Sequence, residues 1–155
     1  MAGEQPRNAN EIIMQLRYLQ GLYNQQYENL ENNIATYTLA NTSLQRNIEL
    51  LQKSDSMAGS EIMISGEGGA YLPAKLSKSE SVLTYVGGGY MIENNKDKAL
   101  GFLSENLRRG EEMLNRLISE KQKVEKDLID IQYKLNALQY QQQATGQENT
   151  GSLDV

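Results

Sequence analysis

Residues 81–93 read SVLTYVGGGYMIE, the most informative pattern in the chain. Two runs rich in β-branched and aromatic residues flank three glycines, an arrangement typical of a β-hairpin. Residues 61–65 and 70–76 form a second pair of apolar runs around two glycines, and Pro73 in the later run fits an edge strand. The sequence therefore predicts two β-hairpins within residues 60–95.

A long helix is predicted before the hairpins, over residues 10–54. This segment has no Pro and a single Gly, and its apolar residues recur three and four apart, as the a and d positions of a coiled coil do. One pair of consecutive four-residue steps, at Tyr23 to Tyr27, is a stutter that locally relaxes the supercoil. The predicted seam consists of Ile12, Leu16, Leu19, Tyr23, Tyr27, Leu30, Ile34, Tyr37, Asn41, Leu44, Ile48 and Leu51.

A second helix is predicted after the hairpins, over residues 97–142, with the same rhythm. Gly110 and Lys121 interrupt the apolar character of this seam, and Asn41 interrupts the apolar seam of the first helix. A polar side chain at a seam position, such as Asn41, can fix the register of the two helices at some cost in stability. This seam consists of Leu100, Leu103, Leu107, Gly110, Leu114, Leu117, Lys121, Val124, Leu128, Ile131, Leu135 and Leu138. Residues 1–9 and 143–155 have little to bury, so we expect a flexible N-terminus and a disordered tail.

Both helices run for about 40 residues, or roughly 60 Å at 1.5 Å per residue. Folding the chain back on itself pairs Leu51 with Leu100 and places Asn41 opposite Gly110. A parallel self-dimer through either helix is the alternative, which the short distance between the helices in sequence disfavours. The predicted fold is mainly α: a long antiparallel coiled-coil helical hairpin with two β-hairpins inserted between the helices.

Composition excludes several classes of function. The chain has 155 residues, enough for one domain, and a net charge of −5 without the basic stripe that nucleic acids require. It has no Cys and no His, so thiolate or histidine metal sites, a cysteine nucleophile and the commonest general base are missing. We find no signal peptide and no apolar run long enough for a membrane span, and we expect a cytoplasmic protein with no membrane partner.

The motifs that suggest catalysis have simpler explanations. The glycines at 87–89 lead into a strand, whereas a phosphate-binding loop opens a helix with Gly-Lys-Ser/Thr. The acidic pairs Asp127 with Asp130 and Glu111 with Glu112 lack a third ligand and fit a solvated helix face. Lys121 is expected to extend its ammonium group into water and to help set the register. No enzyme is predicted, and no cofactor.

The order helix, two β-hairpins, helix resembles the alpha class of the prefoldin family over residues 10–142. The hairpin sequences Ile62–Leu76 (IMISGEGGAYLPAKL) and Val82–Glu93 (VLTYVGGGYMIE) are the most specific part. The second is similar to the family's V-x-V-G-x-G-Y-x-x-E stretch, and residues 99–103 look like its entry into the second helix. The beta class has one hairpin, so four strands favour the alpha class.

This resemblance implies a hexamer of two alpha and four prefoldin beta subunits, joined through the hairpins into a β-barrel platform. It also implies a molecular chaperone, a holdase that binds unfolded client proteins at the distal tips of its coiled coils. The clients would pass to a group II chaperonin without ATP or any other cofactor.

Client binding at the distal tips requires apolar side chains that are not packed in the seam, and the two helix ends carry several. They are Ile13, Met14, Tyr18 and Leu22 in the first helix, and Ile129, Tyr133 and Tyr140 in the second. The alternative is that they widen the core at e or g positions. The predicted client-binding set adds seam residues that are reached only if the helix ends separate, namely Ile12, Leu16, Leu19, Leu135 and Leu138.

Open strand edges invite pairing with other chains. The predicted oligomerisation residues are Ile62, Ile64, Tyr71, Leu72, Val82, Leu83, Tyr85, Val86, Tyr90 and Ile92. Two rival interpretations stay open: a structural coiled-coil or filament subunit that polymerises through these strands, and an adaptor for one defined partner.

Overall fold

The structure, a computed structural model, describes residues 8–148. The elements follow in the order α1 (Ala9–Lys53), β1 (Glu61–Ser65), β2 (Tyr71–Lys75), β3 (Ser81–Gly87), β4 (Tyr90–Asn95) and α2 (Lys96–Glu148). Two long helices with two small antiparallel β-hairpins between them confirm the predicted fold class. The chain divides into a terminal unit (residues 8–35 and 115–148) and a central unit (residues 36–114).

The helix ends follow from local chemistry. Asn95 caps α2, because its Oδ1 accepts a hydrogen bond from the backbone N–H of Lys98 at 2.9 Å. An acidic residue in the first turn of each helix, Glu11 in α1 and Asp97 in α2, suits the positive end of the helix dipole. Both helices begin one residue before their predicted starts.

The predicted disordered tail is wrong for its first residues, because α2 continues to Glu148 rather than ending at 142. The prediction of disorder followed from the lack of apolar residues to bury after residue 142. Gln and Ala have good helix propensity, so a helix that is already formed can extend through residues 143 and 144 without tertiary contacts. Residues 1–7 and 149–155, which the flexible-terminus predictions also cover, lie outside the described part of the chain.

The predicted seam forms the core of the terminal unit. Its most buried apolar side chains are Leu30, Val124, Ile131 and Leu135, which are between 4% and 6% exposed. All of them occupy predicted a or d positions. The heptad pattern thus identified the residues that pack between the two helices in this unit.

The central unit contains the predicted meeting of Asn41 and Gly110. Asn41 is 8% exposed, and a Cβ atom added to Gly110 would overlap the Asn41 side chain. The Asn41 Nδ2 has no hydrogen-bond partner among the described residues, a defect that typically costs about 1–3 kcal/mol. This pair confirms the predicted register, and Gly110 provides the space that Asn41 occupies.

In the same unit, an ion pair connects the two residues that flank the segment with the β-hairpins, one after the end of α1 and one at the start of α2. Lys96 Nζ lies 2.8 Å from Asp55 Oδ2, and Lys96 is the first residue of α2. The hydrogen bond from Lys96 lowers the pKa of the Asp55 carboxyl below its usual value. The chain that leaves α1 therefore meets the chain that enters α2.

The two hairpins form separate two-stranded sheets. β1 pairs with β2 from Glu61↔Lys75 to Ser65↔Tyr71 around a 3-10 turn, and β3 pairs with β4 from Ser81↔Asn95 to Gly87↔Tyr90. A register shift between Tyr85 and Gly87 marks a bulge in β3, next to three glycines that all have positive φ angles. Because each sheet has only two strands, every strand has one unpaired edge.

Candidate functional site

On α1, three exposed apolar side chains follow each other at steps of four residues. Met14 is 71% exposed, Tyr18 is 69% exposed and Leu22 is 46% exposed. Residues four apart share one face of a helix, so these side chains form a continuous stripe. We call it the α1 stripe. Met14 and Tyr18 also line a shallow surface depression together with Gln15 and Leu19.

On α2, a second set of exposed apolar side chains occupies the segment that pairs with the start of α1. Ile129 is 63% exposed, Tyr133 is 76% exposed and Tyr140 is 74% exposed. Their spacing of four and then seven residues keeps them on one face of the helix. We call them the α2 stripe. From the sequence, these off-seam residues could also have widened the core at e or g positions. In the described chain the strongly exposed members of the two stripes do not, because their side chains face solvent.

The other predicted client-binding residues are less accessible. Leu19 is 41% exposed, and Leu135, at 5%, is buried between the helices. A client contact by Leu135 would require the helices to separate, since the seam covers it in this conformation. The half-buried members of the predicted set are Ile12, Ile13, Leu16 and Leu138.

A cationic side chain interrupts the seam of the terminal unit. The ammonium group of Lys121 lies 2.7 Å from Glu31 Oε1 and 4.7 Å from the centroid of the Tyr27 ring. The hydrogen bond to Glu31, followed by the interaction with Tyr27, raises the pKa of Lys121 above its usual value. The predicted solvated lysine is in fact bound to two residues of α1, which favours its role in setting the register.

In the central unit, most predicted oligomerisation residues expose their side chains. Leu72 on hairpin β1–β2 is 63% exposed, and Tyr90 on hairpin β3–β4 is 73% exposed. Between 38% and 65% of the side chain is exposed for Ile64, Tyr71, Leu83, Tyr85, Val86 and Ile92, whereas Ile62 and Val82 are half-buried.

Two exposed methionines on these strands were not among the predicted oligomerisation residues. Met63 is 63% exposed and Met91 is 62% exposed, which makes them as accessible as Leu72. Met91 pairs across the hairpin with Tyr85, so the two side chains share one face of the sheet, and the pairing register of the hairpin would have identified Met91.

Hairpin β3–β4 also borders a groove against the helices of the central unit. Leu44, Leu51 and Leu103 contribute apolar helix side chains, and Leu83 and Tyr85 contribute the strand side. The groove is also lined by Thr84, which is 5% exposed and whose Oγ1 has no hydrogen-bond partner among the described residues.

Among the side chains that the structure describes, no three Asp or Glu residues are placed so that they could hold a metal ion together. Of the acidic pairs considered from the sequence, Glu112 forms an ion pair with Arg108. Within the same part of the chain, neither helix is apolar over a stretch long enough to cross a bilayer.

The comparisons with known proteins fit this architecture. The profile of a protein family described as "Prefoldin: Prefoldin subunit" matches residues 23–144. The chain therefore belongs to the prefoldin family, a family of non-enzymatic chaperones whose members assemble with other prefoldin subunits.

No curated protein sequence matches the chain. Among solved structures, it is similar to the cryo-EM structure of filamentous PFD from Methanocaldococcus jannaschii, with a TM-score of 0.52 and 18% sequence identity. The match covers 77% of this chain and 93% of the other. At this identity the likeness shows the common fold.

Proposed function

We propose that this chain is an alpha-type prefoldin subunit that holds unfolded polypeptides at the end of the helical hairpin where α1 begins. The observation that carries the proposal is the pair of apolar stripes on α1 and α2. Tyr18 and Tyr133, for example, are 69% and 76% exposed, and they belong to clusters of exposed apolar side chains near the start of α1 and on the α2 segment that pairs with it. Apolar surface of this kind marks an interaction site.

The residue types of the stripes suit clients of variable sequence. Met adapts to irregular apolar surfaces, and Tyr combines an apolar ring with a hydroxyl group. Burial of one such side chain against a client contributes roughly 1.5–3 kcal/mol before the entropic losses of binding. Single contacts are therefore weak, and several arms acting together raise the overall affinity through multivalency. Holding of this kind needs no nucleotide.

The two β-hairpins support the assignment to the alpha class, since subunits of the beta class have only one β-hairpin. We propose that the exposed strands assemble with beta subunits into a complex of two alpha and four beta chains. Unpaired edges and apolar side chains such as Leu72 and Tyr90 provide a surface for this assembly. The client would then be delivered in the cytoplasm to a group II chaperonin.

The decisive experiment measures whether the assembled complex suppresses aggregation of a denatured protein. The stripe variant carries Met14→Ser, Tyr18→Ser, Ile129→Ser and Tyr133→Ser. We expect it to assemble normally and to lose most of its holding activity, because these substitutions remove apolar area from the stripes without changing the seam.

A matched control removes exposed apolar side chains outside the stripes. Leu39 is 71% exposed and Leu50 is 54% exposed, so Leu39→Ser with Leu50→Ser alters a comparable helix surface in the central unit. This variant should hold clients as the unmodified complex does. Equal activity of the stripe variant and the unmodified complex would contradict the proposal.

A second candidate function is a filament subunit that polymerises through its strands. The two separate sheets with open edges favour it, and the similar solved structure is itself described as filamentous. The chaperone and the filament subunit can be distinguished by purifying the native complex with this chain as the bait. Native mass spectrometry then gives its composition, and electron microscopy shows whether it forms filaments. Two copies with four of a second, similar-sized helical-hairpin chain support the chaperone, and polydisperse filaments without a client effect support the alternative.

A further inference from the structure

All the sulfur in this chain belongs to methionine. The sequence has six Met and no Cys, so the thioether is its only sulfur group that can be oxidised. Met14, Met63 and Met91 are 71%, 63% and 62% exposed, whereas Met113 is 37% exposed and Met57 is half-buried. Because oxidation of a thioether follows its exposure, Met14, Met63 and Met91 are the most susceptible of the described methionines.

Each β-hairpin carries one of these methionines within a strand. Met63 is the third residue of β1 and pairs with Pro73, and Met91 is the second residue of β4 and pairs with Tyr85. Residues that pair directly across two strands share one face of the sheet. The strand pairing therefore fixes which exposed side chains accompany each methionine.

Met91 belongs to the exposed face of hairpin β3–β4. Thr84 is 5% exposed, whereas its neighbours Leu83 and Tyr85, which point to the opposite face, are 65% and 59% exposed. Met91 shares the face of Tyr85 and borders the same groove as Leu83 and Tyr85. A partner chain that covers these two predicted oligomerisation residues must therefore cover Met91 as well.

Met63 has a corresponding position on hairpin β1–β2. The pairs Met63 with Pro73 and Ser65 with Tyr71 follow each other two residues apart, so Met63 and Tyr71 lie on one face. Tyr71 is itself 63% exposed and is a predicted oligomerisation residue. The two methionines thus lie within the surfaces that we propose for assembly.

We propose that Met63 and Met91 are oxidation sites through which a peroxide controls assembly of this chain. This inference rests on the proposed function, since it concerns the strand surfaces that would join the subunits. The sulfur attacks one oxygen of hydrogen peroxide, an S–O bond forms as the O–O bond breaks, and the second oxygen leaves as water after taking up the proton of the first. The thioether is oxidised by two electrons to a sulfoxide, and the peroxide is reduced.

The sulfoxide opposes assembly for a physical reason. It replaces an apolar, adaptable side chain with a polar one, and burial of a polar oxygen without a hydrogen-bond donor costs free energy. Assembly in turn covers the thioethers and shields them from peroxide. Oxidation therefore acts on the unassembled chain, and methionine sulfoxide reductases can reverse it.

Protection of the two sites is tested by treating the full-length chain and the assembled complex with hydrogen peroxide. Peptide mass spectrometry measures sulfoxide formation at each methionine. We expect Met63 and Met91 to be oxidised in the separate chain and protected in the complex. Met14, on a helix outside the strands, should react at the same rate in both and serves as the internal reference. Equal rates for Met63 and Met91 in the two states would overturn the inference.

The effect on assembly is tested by mixing the oxidised chain with untreated partner subunits recovered from the complex. Native mass spectrometry should show assembly weakened roughly tenfold, which corresponds to about 1.4 kcal/mol, and sulfoxide reductases should restore it. The circular dichroism of the helices should be unchanged by oxidation. Loss of this signal would contradict the inference, because unfolding rather than the altered surface would then prevent assembly.

Two double variants identify the methionines responsible. Met63→Leu with Met91→Leu keeps apolar side chains of similar volume that peroxide does not oxidise, so this variant should assemble equally well before and after treatment. The matched control, Met14→Leu with Met113→Leu, should lose assembly on treatment as the unmodified chain does. The reverse pattern would assign the effect to the helices and overturn the inference.

The outcomes separate this inference from the proposed function. If the fully oxidised chain assembles as tightly as the untreated chain, the inference is wrong, although the proposed assembly stands. If the untreated chain assembles with no partner, the proposed function itself fails.

Discussion

In the terminal unit the exposed apolar side chains lie on helices, whereas in the central unit most of them lie on two-stranded hairpins. Tyr133 and Leu72 illustrate the contrast, at 76% and 63% exposed. A helix satisfies its own backbone hydrogen bonds, so Tyr133 can remain exposed without consequence for folding. A strand of a two-stranded sheet has one edge without backbone partners, and such a hairpin is marginally stable alone.

Exposed apolar side chains therefore have different roles in the two units, although their exposed fractions are similar. On the helices, the apolar stripes are available to a ligand that comes and goes, because the seam beneath them supplies the stability. On the hairpins, burial by a partner chain also completes the sheet. Substitutions should therefore separate client binding from assembly.

The largest effect is expected for Leu72→Asp. A charge at this position would be buried in the proposed assembly without a partner, which costs about 3–5 kcal/mol. We expect loss of the hetero-oligomer in size-exclusion chromatography with light scattering.

The matched substitution on a helix is Met14→Asp, at a position 71% exposed. It should leave assembly intact and reduce only client holding. Assembly of the Leu72→Asp chain at the normal size would remove the distinction between the two surfaces.

Two positions on α2 that are two residues apart, Tyr133 and Leu135, sharpen the comparison within the terminal unit. Leu135→Ala should destabilise the folded chain by about 3 kcal/mol, because it leaves a cavity at a side chain that is 5% exposed. Tyr133→Ala should change stability by less than about 0.5 kcal/mol and should weaken client holding instead. Urea unfolding of the complex measures the first effect, and equal destabilisation by both would argue against the closed seam.

A smaller effect is expected at the polar layer of the central unit. Gly110→Ala brings a Cβ into the Asn41 side chain, and crowding of about 1–3 kcal/mol should outweigh the gain of about 1 kcal/mol in helix propensity. Adding Asn41→Ala should restore stability, because it removes the overlap together with the unpartnered amide. A double variant less stable than Gly110→Ala alone would show that Asn41 stabilises this layer.

The smallest effect concerns ion pairs on the exposed face of α2. Hydrogen bonds from Arg108 and Arg109 lower the pKa of Glu105 to about 2 from 4.5. The stabilisation is therefore complete above pH 4.5 and is lost as the pH falls toward about 2. Because the group is exposed, the change is small.

The Glu105→Gln variant tests this charge network by thermal unfolding followed by circular dichroism. It should lower the unfolding temperature slightly at neutral pH and should match the unmodified chain near pH 2. A difference that is independent of pH would mean that Glu105 acts through packing rather than charge.

The periodic parts of the sequence predicted the fold well. The seam positions Leu30, Val124 and Ile131 are buried, and Asn41 meets Gly110 as the alignment of the heptads required. Helices and hairpins are set by local spacing, which a single sequence contains. The end of α2 was less predictable, because residues after 142 continue the helix through propensity rather than burial.

The candidate site was predicted only in part. Sequence spacing placed Met14 and Tyr18 off the seam, but it could not separate an exposed side chain from one that widens the core. It grouped Leu135 with the client-binding residues, and the structure buries that side chain. Exposure depends on how closely two helices approach, which residue spacing does not specify.

The sequence by itself determined the elements, their order and the register of the helical hairpin, because periodicity of apolar residues is a local property of the chain. Only the tertiary structure decided that Lys121 binds Glu31 beside Tyr27 and that Gln142 binds Asn10 at the start of α1. Such pairs join residues far apart in the chain, and polar side chains have many possible partners until packing brings two of them within hydrogen-bond distance.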